Sequence, residues 1–78
     1  MTIQLHEEVV LACDVPKEGL RQGDMGTVVH VYPSGGFEVE FFTASGKTRA
    51  VLTLRAGDVR LANDDELITV RPLKTSTG

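Results

Sequence analysis

The sequence predicts an all-β domain, a small barrel of about five strands. Three observations support this prediction. The chain has only 78 residues, its segments rich in β-branched and aromatic residues are short, and glycine-containing turn signals separate them. A chain of this length makes a single domain. We assign residues 1–62 to the barrel, and residues 63–78 to an acidic linker, a strand candidate at 67–70 and a flexible C-terminus.

Five segments of the chain have the character of strands. They are residues 8–13, 26–32, 37–41, 48–54 and 59–61. A loop of about ten residues follows the first of them, and its one apolar side chain, Leu20, is expected to pack onto the barrel. A single 3₁₀ turn is expected at 55–58, before the last strand. Short strands, tight turns and one long early loop are typical of a small barrel.

The third and fourth strands allow their register to be predicted. Residues 37–41 alternate apolar and acidic side chains, the pattern of a half-buried strand. A shift of one residue would place Glu38 and Glu40 in the core, so the burial pattern restricts the register. A symmetric four-residue turn at 43–46 predicts four cross-strand pairs: Phe41 with Thr48, Val39 with Ala50, Phe37 with Leu52 and, on the outer face, Glu40 with Arg49.

The second strand has two possible orientations. Either Val29 and Val31 point inward, or Val28, His30 and Tyr32 do. We favour the first, with His30 half exposed, because burying two valines leaves no polar group without a partner.

Charge and cysteine content restrict the class of protein. The formal net charge is −3, and the basic side chains of the second half lie among acidic ones, so a nucleic acid is not the expected partner. No apolar run reaches the roughly 20 residues of a membrane helix, and the N-terminus does not resemble a secretory signal. The single cysteine, Cys13, fits a reducing compartment. These features predict a cytoplasmic protein without a membrane segment.

No group of residues has the spacing of a catalytic or metal site. Cys13, His6 and His30 are too few and too scattered for structural zinc, and Cys13 is expected to be a small core residue. Asp64, Asp65 and Glu66 are expected to be a solvated acidic linker. We therefore predict no enzyme activity and no metal or cofactor.

Two features favour a contact surface instead. If Phe41 is buried, Phe42 faces outward, as does Val51 by the same register and Val28 if Val29 points inward. Either the long loop or the C-terminal segment covers this apolar surface, or a partner does. The run at 67–70 is apolar beyond the barrel. This run could pair with an edge of its own barrel or with a second chain, giving a homodimer. The candidate contact residues are Val28, Phe42, Arg49, Val51, Leu67, Ile68 and Val70.

Four motifs occur in a fixed order between residues 5 and 61. They are Gly-Asp-Met-Gly-Thr-Val-Val at 23–29, Phe-Glu-Val-Glu-Phe at 37–41, Gly-Lys-Thr at 46–48 and Ala-Val-Leu-Thr-Leu at 50–54. With these motifs the chain resembles a bacterial family known as domain of unknown function 4926. The resemblance implies an SH3-like barrel and supplies no catalytic residues.

A second resemblance rests on residues 23–28 followed by a hairpin. This part is similar to the KOW motif of ribosomal and transcription-elongation proteins, but the chain lacks the basic loops of that motif. The function we predict is a non-catalytic module that binds another protein, such as the inhibitor half (an antitoxin or immunity protein) of a bacterial gene pair. An acidic inhibitor would suit a basic toxin surface. The alternative is a KOW-like module associated with nucleic acid or the ribosome.

Overall fold

A computed structural model describes residues 2–73, so the prediction of a flexible segment at 74–78 lies outside the described residues. The described residues contain five strands: β1 (Glu8–Leu11), β2 (Met25–Val31), β3 (Phe37–Phe42), β4 (Thr48–Leu54) and β5 (Val59–Leu61). They form one antiparallel sheet in the order β4-β3-β2-β1-β5. Two 3₁₀ turns, Pro16–Glu18 and Ala56–Asp58, complete the described secondary structure. The all-β prediction is confirmed; the sheet is barrel-like but not closed.

The core lies on the inner face of this curved sheet. Alternation along β3 turns Phe37, Val39 and Phe41 inward, as predicted. Leu20 reaches the same core from the long first loop, where it pairs with Val15 through two backbone hydrogen bonds. This prediction is confirmed too. The apolar interior therefore depends on the first loop as well as on the strands.

The predicted register of the β3–β4 hairpin is wrong by two residues. The structure pairs Phe37 with Leu54, Val39 with Leu52 and Phe41 with Ala50. One residue of the shift comes from the turn, which is a three-residue loop closed by a Thr43–Lys47 pair, with Gly46 at a φ of 91°. The other comes from a β-bulge, in which Arg49 is the extra residue of β4. The two single shifts together restore the alternation, so Ala50, Val51, Leu52 and Leu54 keep their predicted faces, whereas Thr48, predicted on the buried face, is exposed on the outer face.

The β-bulge in β4 removes the predicted pair between Glu40 and Arg49. Glu40 lies opposite Val51 instead. The bulge directs Arg49 toward the first loop, where its Nη2 donates to the carbonyl oxygen of Glu18 at 2.8 Å.

A second bulge, in β2, corrects the predicted orientation of that strand. Val28 pairs with Val39 and is completely buried, whereas Val29 has no partner on β3 and is 39% exposed. The register resumes with His30 opposite Glu38 on the outer face and Val31 opposite Phe37. The bulge reverses the alternation, so that Val28 rather than Val29 is the buried valine, whereas Val31, opposite Phe37, is 38% exposed.

Two predictions at the strand ends are also wrong. β1 ends at Leu11, and the backbone bends at the next two residues, so Cys13 is exposed rather than in the core. Residues 67–70 form no strand and make no backbone hydrogen bond within the described residues, so they do not pair with an edge of their own sheet. Ion pairs at Glu66 and Arg71 flank this run on either side.

Candidate contact surface

The structure distributes the seven predicted contact residues among four places. Val28 is in the core and is removed from the set. Val51 lies on the outer face of the sheet, and Leu67 is exposed on the C-terminal segment, residues 62–73. The other four line one groove: Phe42, Arg49, Ile68 and Val70.

The outer face of β3 and β4 combines apolar and acidic side chains. Glu38, Glu40 and Phe42 alternate along one side of β3, and Val51 stands opposite Glu40. Phe42 and Val51 are 50% and 51% exposed. The outer face therefore combines two half-exposed apolar side chains with two carboxylates.

Hydroxyl donors from neighbouring residues hold both carboxylates. Glu38 Oε2 accepts hydrogen bonds from Tyr32 Oη and Thr53 Oγ1, each at 2.6 Å. Glu40 Oε2 accepts one from Thr48 Oγ1 at 2.5 Å. The bonds from Thr53 and Tyr32 lower the pKa of Glu38, and the bond to Glu38 raises the pKa of Tyr32. Glu38 therefore stays ionised at neutral pH.

Within residues 2–73 no salt bridge joins either of these carboxylates to a lysine or an arginine. Within residues 2–73 the ion pairs are Arg60–Glu66 and Arg71–Asp24, and both lie elsewhere. The ring of Tyr32, whose hydroxyl donates to Glu38, packs edge-on against His30, with ring centroids 4.6 Å apart. The outer face therefore presents fixed negative charge next to exposed apolar surface.

The groove lies where the first loop, the β3–β4 turn and the C-terminal segment meet. Its volume is about 410 Å³. Met25 and Phe42 supply apolar walls, Ile68 and Val70 line the side of the C-terminal segment, and Arg49 adds a positive charge. Asp24 and Arg71, which pair with each other, also line the groove, so it is largely apolar and Arg49 is its one lining cation without an ion pair among residues 2–73.

Two ion pairs anchor the C-terminal segment. Arg71 donates from Nε to Asp24 Oδ1 at 2.8 Å and from Nη2 to Asp24 Oδ2 at 2.5 Å, and its Nη2 also contacts the Gly19 carbonyl oxygen at 3.1 Å. At the other end, both terminal nitrogens of Arg60 donate to the carboxylate of Glu66. Bidentate arginine–carboxylate pairs are geometrically well defined, so residues 66–71 are held at both ends.

One family model matches this chain, over residues 5–61, and its description is "Domain of unknown function (DUF4926)". The chain belongs to this family. No curated protein and no solved structure matches it. The match covers all five strands of the DUF4926 domain and ends where β5 ends, so the anchored part of the C-terminal segment lies outside it. The assignment to the SH3-like class stays a prediction.

Among residues 2–73 the DUF4926 domain has neither a cluster of potential metal ligands nor a helix that could span a membrane. In that range no group of three or more His, Cys, Asp or Glu side chains could hold a metal ion. The same residues contain no helix long and apolar enough to cross a membrane.

Sequence reasoning missed the hydroxyl donors of the outer face and the Arg71–Asp24 pair. The alternation along β4 predicts that Thr53 faces outward, but it predicts the opposite face for Thr48, which the bulge at Arg49 turns toward Glu40. Arg71 and Asp24 are 47 residues apart, and no local pattern connects them.

The Arg71–Asp24 pair predicts a dependence of stability on pH. Burial raises the pKa of Asp24, but hydrogen bonds from Arg71 and from the Arg21 backbone more than offset this, so the pKa lies below its ordinary 3.8. The stabilisation is therefore present above the unfolded-state pKa and is lost as pH falls through the lower folded-state pKa. We expect Asp24→Asn to lower the free energy of unfolding by about 1 kcal/mol near neutral pH.

Urea unfolding of the wild type and Asp24→Asn at neutral pH and at strongly acidic pH measures this effect. The difference between the two proteins should shrink at acidic pH, and Asp65→Asn, at an exposed carboxylate, serves as the control. A difference that stays constant between the two conditions would show that the ion pair does not cause it.

Proposed function

We propose that this DUF4926 domain is a non-catalytic protein-binding module whose outer face docks a basic partner protein. The observation that carries the proposal is the placement of two half-exposed apolar side chains, Phe42 and Val51, beside the carboxylates of Glu38 and Glu40. Interface centres are rich in aromatic and apolar side chains, and charge complementarity directs the approach of the partner.

The fixed carboxylates make this face suited to binding. Glu38 and Glu40 are already held by hydroxyl donors on the same sheet, so a partner would not have to order them. Ordering a flexible side chain at an interface costs about 0.5–1.5 kcal/mol. A lysine or arginine of the partner could pair with either carboxylate while its apolar neighbours cover Phe42 and Val51.

The negative charge of the outer face also favours a protein partner over a nucleic acid. Carboxylates without a paired cation repel phosphate, so the outer face disfavours the KOW-like nucleic-acid module. An inhibitor that covers a basic toxin in a bacterial gene pair is the specific form of the proposal that this face supports best. The proposal places the domain in the cytoplasm, because its single cysteine suits a reducing compartment.

Affinity capture with variants of the outer face tests this function. The tagged domain, Val51→Asp and Leu5→Asp are each used as bait in an extract of the source cells, and bound proteins are identified by mass spectrometry. Leu5 is 49% exposed and lies outside β3 and β4, so Leu5→Asp is a control of matched exposure. We expect a partner with an excess of Lys and Arg, retained by Leu5→Asp and reduced roughly tenfold by Val51→Asp.

Salt dependence adds a second readout of the same experiment. Glu40→Gln removes one charge of the outer face and should weaken capture at low salt more than at high salt, because screening already removes this attraction at high salt. A partner that Val51→Asp retains as well as the wild type, or one that is itself acidic, would contradict the proposed function.

A further inference from the structure

Residues 67–70, the apolar segment, are the most exposed large hydrophobic part of residues 2–73. Leu67, Ile68 and Val70 are 89%, 77% and 87% exposed, whereas every other large apolar side chain of the described chain is at most about half exposed. Exposed apolar side chains are ordinary when they are single, but three within four residues form a contiguous patch.

The apolar segment is also held in place. The Arg60–Glu66 pair precedes it, and the Arg71–Asp24 pair follows it. A backbone bond from Glu66 N to the Asn63 carbonyl oxygen closes a turn in front of it. A segment fixed at both ends loses little conformational freedom when it binds, so these anchors present the apolar side chains rather than bury them.

A groove of suitable character for such a segment lies beside it on the same chain. The groove contains the apolar walls of Met25 and Phe42 and the positive charge of Arg49. Ile68 and Val70 border the groove and yet stay largely exposed, so the chain does not fill the groove with its own segment. Arg49 makes no ion pair within the described residues.

We propose that the apolar segment of one chain packs into the groove of a second copy, and that the second copy does the same in return, about a two-fold axis. A two-fold interface requires that one surface carry both complementary parts. Here a projecting apolar segment and an apolar groove are adjacent on one chain. Their charges match as well, because Asp64 and Asp65 precede the segment and Arg49 lies in the groove.

This inference does not depend on the proposed function. It uses the C-terminal segment and the groove, whereas partner binding was assigned to Val51 and the carboxylates of the outer face. The two surfaces share Phe42, so Phe42 is left unchanged in the test.

Sedimentation equilibrium of the full chain, from micromolar to millimolar concentration, tests the proposal. The wild type should show a reversible monomer–dimer equilibrium, and Leu67→Asp should weaken it at least tenfold. Leu67 does not line its own groove and is almost fully exposed, so this variant should keep the thermal midpoint of the wild type. Val51→Asp, the matched control, should dimerise like the wild type.

A charge exchange makes the test specific for the groove. Arg49→Glu should weaken the dimer, and Arg49→Glu combined with Asp64→Lys and Asp65→Lys should restore at least part of the lost association. A wild type that stays monomeric at every concentration would overturn the proposal, as would a dimer that Leu67→Asp leaves unchanged. Capture of a different protein through Leu67 by a monomeric wild type would also overturn it, in favour of a foreign occupant.

Discussion

Val28→Asp is expected to unfold the domain, whereas Val29→Asp should leave it folded. The two valines are neighbours in β2, but Val28 is completely buried opposite Val39 and Val29 is 39% exposed at the bulge. Burying a carboxylate without a partner costs several kcal/mol, and the variant also loses the packing of a buried valine, worth about 1.5–3 kcal/mol. Single domains have a total stability of only about 5–15 kcal/mol.

Circular dichroism and thermal unfolding of both variants measure this difference. Val29→Asp is the matched control, since it introduces the same charge one residue away. Its free energy of unfolding should stay within about 1 kcal/mol of the wild type, as for an exposed position. The opposite result, a folded Val28→Asp and an unfolded Val29→Asp, would restore the orientation predicted from the sequence and remove the β2 bulge.

Gly26→Ala is expected to destabilise the domain by about 1–3 kcal/mol, the usual cost of overpacking a core. A Cβ atom at this position would lie 2.7 Å from Val39 Cγ1, 2.9 Å from the Glu40 carbonyl oxygen and 2.9 Å from Phe41 Cε2. The backbone of β3 cannot move aside without disturbing both of its neighbours in the sheet. Position 26 therefore has no room for a side chain, and glycine is required there.

Gly57→Ala is the control for this prediction. A Cβ atom at Gly57 would meet nothing within 4 Å, so the substitution should be neutral or stabilise by a few tenths of a kcal/mol through the unfolded chain. Denaturant unfolding compares the two variants. Equal losses of stability at Gly26 and Gly57 would contradict the close approach of β2 and β3.

The parts of the fold that the sequence predicted are those with a strong local pattern. The alternation of side chains predicted which residues of β3 face the core, and turn residues predicted the 3₁₀ turn before β5. Leu20, the one apolar residue of a polar loop, was predicted to be buried. The bulges left no such signal. Val28 and Val29 are the same residue type, and the sequence alone does not show which one lacks a partner.

The candidate surface was predictable to a similar degree. The alternation of side chains along β3 and β4 predicted that Phe42 and Val51 are exposed. This prediction is confirmed despite the wrong register, because the register is shifted by two residues and a shift of two leaves each of these side chains on its predicted face. The position of Arg49 did not follow, because the bulge redirects it toward the first loop. The groove was not predictable either, since it depends on the Arg71–Asp24 pair between distant parts of the chain.

Methyl and aromatic NMR of the labelled domain in complex with its captured partner tests the central claim most directly. Such spectra locate the interface without any substitution. We expect the largest shift changes at the Val51 methyl groups and at the Phe42 ring, with the Leu5 methyl groups unchanged. Unchanged Val51 and Phe42 signals in a saturated complex would contradict the assignment of partner binding to the outer face.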